Sequence, residues 1–322
     1  MDDFGDDPDD LAKWGLHCFC LGARSTPHHV VKMDDNGRLL FRARLGVSRA
    51  ELWEQGIDPL DSQIALLRAY DLVSVEGDRL MTTFPVLGSE ETAALRARMA
   101  GLAEAIVPAI EAEVSTLAGV LADQGLAHCA YGVFFGYVID GLVWDRLMEE
   151  GLLPVTKLSV ERPYWNGAFW AVYPPRAGAM GTNEVREAGV RLTMVWTDST
   201  VNALNRLADD PALWSALRVV SHGDLPRESL WSDDRGRSRI PIIRRQDGDP
   251  VHEIGLRIAA EVVSALLRNL PEAGVVVAAH ELIWNLMDAL EATGVVRRPS
   301  SFDDPEAAPE SLRAQTFLSV GD

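Results

Sequence analysis

Apolar side chains recur along this chain with two different periods, and the longest regular run marks its middle. Leu95, Met99, Leu102, Ile106, Ile110, Val114, Leu117 and Leu121 follow one another at intervals of four or three. One stripe at that spacing predicts a single helix of about 33 residues. Ser89 supplies an N-cap, and Glu90 and Glu91 place acids in the first turn, where the helix dipole favours them. Gln124–Gly125 ends it, and Pro108 inside it predicts a kink or a break. The near-heptad spacing suits a helix that joins two domains, pairs with its twin in a dimer, or packs on its own C-terminal domain.

Upstream the pattern is shorter and mixed. Asp10 to Leu21 reads as a helix with Leu11, Trp14 and Cys18 on one stripe. Residues 30–44 read as extended, with Val30–Val31 and Leu39–Phe41 flanking a turn at Asp35–Asn36–Gly37. Ser48 caps a short helix, Arg49 to Gln55, which Gly56 stops. Asp61 caps a second helix carrying Ile64, Leu67 and Leu72. Two β-prone runs between Val73 and Phe84 then flank Glu76–Gly77–Asp78 as a hairpin.

Downstream, Tyr131 to Glu150 reads as a buried helix. Tyr164–Tyr173 and Val190–Trp196 read as strands, the second with Val190, Leu192, Met194 and Trp196 on one face. The glycine- and proline-rich stretch between them exceeds a hairpin turn and predicts a functional loop. Thr200–Ala216, Val251–Asn269 and His280–Thr293 read as helices, Arg237–Arg245 as extended, and Val275–Val277 as a short strand or helix start. Everything from Pro299 reads as loop or loosely docked tail. Strands and helices mix without strict alternation, so the fold class is α+β. The division expected is an acidic tail and first helix (1–27), a module at 28–88, a connector helix (89–124) and an α+β ligand-binding or effector domain (125–322).

Short helix, turn, second helix and β-hairpin is the element order of a winged helix-turn-helix, and Ser48 to Leu87 resembles the winged-helix regulators of bacteria. The resemblance covers about 40 residues and rests on element order. It implies that the second helix enters the major groove, with Ser62, Gln63 and Arg68 toward bases and Arg49 and Arg79 toward phosphates. It also implies duplex DNA as partner, a small-molecule effector, and a homodimer.

Charge qualifies this picture. The 322 residues carry a net charge of −18, which argues against a wholly electrostatic nucleic-acid binder or a binder of anionic membranes. Between Leu21 and Gly88 eight basic residues face nine acidic ones, short of the positive footprint of a DNA reader. A winged helix of that charge also suits a structural or protein-binding role. Asp2, Asp3, Asp6, Asp7, Asp9 and Asp10 crowd the first ten residues and predict a self-repelling, solvated tail or a polyanion mimic. Three cysteines make no disulfide framework, and the start has neither the basic nor the apolar part of a secretory signal. The apolar run Tyr131–Trp144 is interrupted by Asp140, so no membrane span is expected and the chain reads as cytoplasmic.

Several groups are candidates for chemistry. Six of nine tryptophans fall at Trp144, Trp165, Trp170, Trp196, Trp214 and Trp231. Tyr164, Trp165, Trp170, Tyr173 and Trp196 form a candidate ligand pocket, against the plainer reading that they are core. Arg235, Arg237 and Arg239 have strand parity beside Arg244 and Arg245 and predict a face that grips phosphate or carboxylate. His17, Cys18, Cys20, His28 and His29 are zinc-ligand types at the wrong spacing for a structural knuckle. His280–Glu281 opens a helix in which Trp284 stands where a zincin needs its second His. A different site drawing on His222 or Asp288 is the remaining metal option, so no metal and no cofactor are expected.

No phosphate loop, dinucleotide fingerprint or nucleophile elbow is present. The leading expectation is therefore a winged-helix DNA-binding regulator with a C-terminal sensing domain. The alternative is an enzyme acting on an anionic or aromatic small molecule, with the winged helix as scaffold; a third is a protein-binding adaptor.

Overall fold

The computed structural model describes residues 7–153, 157–160, 162–187, 189–209, 211, 215, 232, 235, 237–270, 274–303 and 313–321. The chain divides into two units: Met1–Ala97 with Gly151–Ala177, and Arg98–Glu150 with Gly178–Asp322. The boundary expected at residue 125 is thus corrected, because residues 151–177 fold with the N-terminal part.

In the first unit a 3-10 turn (Leu11–Lys13) leads into β1 (Gly15–Ala23), α1 (Pro27–Val31) and α2 (Asn36–Ala43). Then come β2 (Val47–Ser48), α3 (Arg49–Glu54), α4 (Asp61–Ala69) and the hairpin β3 (Val73–Glu76) and β4 (Arg79–Thr82). A short β5 (Val86–Leu87), the start of α5 (Ser89–Asp123) and β6 (Trp165–Val172) complete it. One sheet has the order β2-β4-β3, the other β1-β6-β5. Leu39, Leu40, Leu52, Leu67, Leu72 and Leu80 meet Trp165 and Phe169 in its core.

Two local expectations fail here for a shared reason. The helix over Asp10–Leu21 is replaced by β1, which pairs antiparallel with β6 from Gly15↔Val172 to Ala23↔Trp165. The hairpin over 30–44 is replaced by α1 and α2. Asn36 is a buried N-terminal residue of α2 whose amide donates to the Val30 carbonyl at 2.7 Å. Gly37 is needed because a Cβ there would lie 2.1 Å from Asp10 Oδ1 and 2.7 Å from the Ala12 nitrogen. Asn-Gly here serves close packing, not a turn.

The second unit takes α5 from Arg98 onward, continuous through Pro108. Its stripe residues from Met99 to Leu121 are buried. By length and composition α5 is also the one described helix able to cross a membrane, a test that core helices of soluble proteins pass as well. Glu113 on it forms a bidentate pair with Arg257. Next come α6 (Ala130–Val133), a π-helical stretch (Phe134–Leu142) and α7 (Val143–Glu149). β7 (Met180–Glu187), β8 (Val190–Thr197), α8 (Val201–Ala208) and β9 (Ile242–Arg244) follow. The unit closes with α9 (Pro250–Asn269), α10 (Val275–Thr293) and β10 (Thr316–Val320). The sheet order is β7-β8-β10-β9, with β10 antiparallel to β8 and parallel to β9.

The functional loop expected before Val190 is therefore largely β7, paired residue for residue with β8 from Met180↔Thr197. The tail expected after Pro299 supplies an inner strand, whose buried Phe317 and Leu318 outweigh the polar residues before it. Val275 begins α10 instead of a separate strand.

Candidate functional site

α3 forms because Ser48 and Glu51 make a reciprocal capping box. Gly56, with φ +76°, then turns the chain away. α4 follows as a half-buried helix. Ile64 and Leu67 enter the core, while Ser62, Ala65 and Arg68 lie on the exposed face. β6 buttresses its end: Trp165 Nε1 donates to the Tyr70 carbonyl at 2.8 Å.

The acids that bracket α4 are both paired. Asp61 meets Arg49 at 2.5 Å, and Asp71 meets Arg162 at 3.0 Å. Arg162, which the sequence reading passed over, also lies 4.9 Å over the Trp165 ring. Among the described residues Arg68 makes no ion pair, so the exposed face keeps one cation without a described counter-charge. Arg79 donates to the Gly46 carbonyl at 2.7 Å and lies 3.8 Å from Glu51. Gln63 is the exception among the five DNA candidates. Its Nε2 donates to Asn36 Oδ1 at 2.8 Å, so it braces α4 against α2 instead of facing outward.

Of the aromatic candidates for a ligand pocket, Trp165 and Trp170 are core, Tyr173 and Trp196 are half-buried, and Tyr164 is 38% exposed. Trp170 is 1% exposed and stacks on His17 at 5.9 Å. Tyr164 stacks on Tyr70 at 4.6 Å, and Tyr173 packs on Trp14 at 5.4 Å. Those four belong to the first unit. Trp196 belongs to the second, where Gly181 makes room for its ring, a Cβ there falling 2.4 Å from Cζ2. Trp214, Trp231 and His222 lie outside the described residues, as does part of the Thr200–Ala216 helix.

The histidine–cysteine group is structural. Burial, with His28 and Arg96 adding, pushes the His17 imidazole down to about 4. Burial and Cys20 push the Cys18 thiol up to about 12. His28 contacts the Leu16 carbonyl at 3.1 Å and Thr26 Oγ1 at 3.2 Å. Among the described residues no group of three His, Cys, Asp or Glu side chains could hold a metal ion. Glu281 is fully buried, and His280 packs edge-on against Trp284.

The arginine face is also corrected. β9 begins only at Ile242, and the backbone bends at Arg239 and Ile240, so Arg235, Arg237 and Arg239 lack a common strand face. Arg245 is held by Asp145 at 2.6 Å.

A cleft of about 550 Å³ opens in the second unit. Its walls are Leu121 in the last turn of α5, Gln124 just after that helix, β9 and the turn Gln246–Asp249 that leads into α9. Its volume is in the range of small-molecule sites. Nearby in the chain, His252 shares a 2.7 Å hydrogen bond with the Tyr137 hydroxyl. Comparison with family models, curated proteins and solved structures returned no match.

Proposed function

We propose that this chain is a winged-helix regulator that reads duplex DNA with α4 and senses a small molecule in its second unit. The reading rests on α4: its acidic neighbours are neutralised by Arg49 and Arg162, which leaves Ser62, Ala65 and Arg68 as an open face of small and cationic side chains. The ion pairs of Arg49 and Arg79 are solvent-exposed and worth about 0–1 kcal/mol each. Both guanidiniums can therefore exchange a carboxylate for a phosphate. The sheet order β2-β4-β3 makes β3–β4 the wing beside them. The protein acts as a cytoplasmic homodimer without a cofactor. An effector in the cleft bears on the last turn of α5, whose first turns belong to the DNA-reading unit. In a dimer this sets the spacing of the two α4 helices.

A duplex from the chain's own upstream region, titrated by fluorescence anisotropy, tests this. Binding is expected to weaken steeply as salt rises. Arg68→Ala is expected to cost about 1–3 kcal/mol, and Arg49→Ala to lower the salt slope by about one. Absence of salt-sensitive binding at low ionic strength removes the reading. The second reading, a protein partner docking on the same module, is favoured by Trp53 and Leu60, 66% and 68% exposed on α3 and just before α4. It predicts partner binding that survives salt and is lost in Trp53→Ala.

A further inference from the structure

The acidic start of the chain is not a free tail where it is described. Asp7 accepts hydrogen bonds from the Ser89 backbone nitrogen at 3.1 Å and from the Ser89 hydroxyl, at the head of α5. The Pro8 carbonyl accepts from Trp14 Nε1 at 2.8 Å. Asp9 pairs with Arg42 on α2 at 2.8 Å, and Asp10 caps the turn at Leu11–Lys13. The arm sits hard against the backbone, for a Cβ on Gly88 would lie 2.4 Å from Asp7 Oδ2.

Beneath the arm is a cleft of about 590 Å³. Trp14, Phe41 and Val86 are its apolar wall, Arg42 and Arg44 are its cations, and Asp7, Asp9 and Glu91 are its acids. Among the described residues Arg44 makes no ion pair, though the charge of Asp7 acts on it. Its guanidinium lies 3.7 Å over the Phe41 ring and donates to the Phe41 carbonyl at 2.7 Å. Two guanidiniums beside an aromatic wall are the equipment for a phosphate chain. The carboxylates of Asp7 and Asp9 hold the positions its oxygens would take.

We propose that this cleft binds the phosphate backbone of a nucleic acid, and that the acidic arm is its resting, intramolecular competitor. The proposal rests on the DNA reading above for the identity of the ligand. Asp9 and Arg42 are both partly exposed, so their pair is weak and a polyanion can displace it. Asp2, Asp3 and Asp6 precede Asp7 in the sequence with three further charges. In this scheme the acids that lower the net charge serve to tighten discrimination, since only a ligand of high charge density displaces them.

The test neutralises the arm without touching its caps: Asp2→Asn, Asp3→Asn, Asp6→Asn and Asp9→Asn in the full chain, with Asp7 and Asp10 kept. Two probes are titrated at low salt, a mixed-sequence duplex and inorganic polyphosphate. Both are expected to bind at least about tenfold tighter than to the natural sequence. Adding Arg42→Gln and Arg44→Gln is expected to abolish the gain. A control chain with Glu104, Glu111, Glu149 and Glu150 changed to Gln has the same net charge and is expected to show little gain.

Tightening on polyphosphate alone keeps the arm as competitor and removes duplex DNA as the ligand. No tightening in a chain that already binds duplex with salt sensitivity overturns the arm and keeps the DNA reading. A gain equal to that of the control, or one that survives loss of Arg42 and Arg44, also overturns it.

Discussion

Gly167→Ala is expected to unfold the first unit. The new Cβ would stand 1.9 Å from the Phe19 carbonyl oxygen and 3.0 Å from its carbon. Both are backbone atoms of the paired strand β1, so no side chain can swing away. Relief requires β1 and β6 to separate near the bulge between Cys20 and Gly22. Overpacking in a core costs about 1–3 kcal/mol where side chains can yield. A clash with paired backbone is expected to reach about 3 kcal/mol or more, a large share of a domain's stability. The consequence extends to function. β6 carries Trp165, which donates to the carbonyl just after α4, and follows Arg162, which neutralises Asp71. Gly178→Ala is the control, at φ +66° with nothing within 4 Å of the added carbon. It should cost only about 1 kcal/mol. Thermal melts of the two variants decide; a Gly167→Ala protein that melts with the natural one refutes the account.

Asp140→Asn is expected to stabilise the second unit above pH 6 and to flatten its pH dependence. The carboxylate sits on the π-helical stretch, accepting from Thr182 Oγ1 at 2.7 Å and Trp144 Nε1 at 3.0 Å. Burial pushes its pKa up to about 6; those two donors oppose the rise, and Glu184 adds to it. The folded state therefore holds its proton more tightly than the unfolded chain. The penalty is absent below the unfolded value near 4, grows through pH 4–6, and is complete above 6. A shift of that size corresponds to about 3 kcal/mol, and partial exposure reduces the expected effect to about 2. The amide keeps one acceptor and gains a donor without a charge to desolvate. Urea melts at pH 4.5 and 7.5 measure it: the natural protein should lose stability between them and the variant should not. Equal slopes would show that the carboxylate is stabilised by its donors as much as burial penalises it.

The enzyme alternative drew on an aromatic pocket and an arginine face, and the structure arranges both sets of residues differently. Trp170 and its neighbours are packed side chains, and the arginine run has no common face.

Wherever a segment's stability comes from contacts within a few residues, the amino-acid order alone was enough. The stripe from Leu95 to Leu121 wrote α5, Ser48 wrote the start of α3, and Gly77 wrote the turn between β3 and β4. These are the bonds of a helix turn or a tight hairpin, closed locally. The tertiary structure decided whatever needed a distant partner. Cys18 and Phe19 became strand because Phe169 and Ala168 lie opposite, far along the chain. Asn36 and Gly37 became helix because Gln63 and Asp10 reach them. Asp7 and Asp9 became an arm instead of a tail because Ser89 and Arg42 donate to them. A sheet partner or an ion pair closes a loop of many residues, so its free energy depends on the whole fold, and no local pattern announces it.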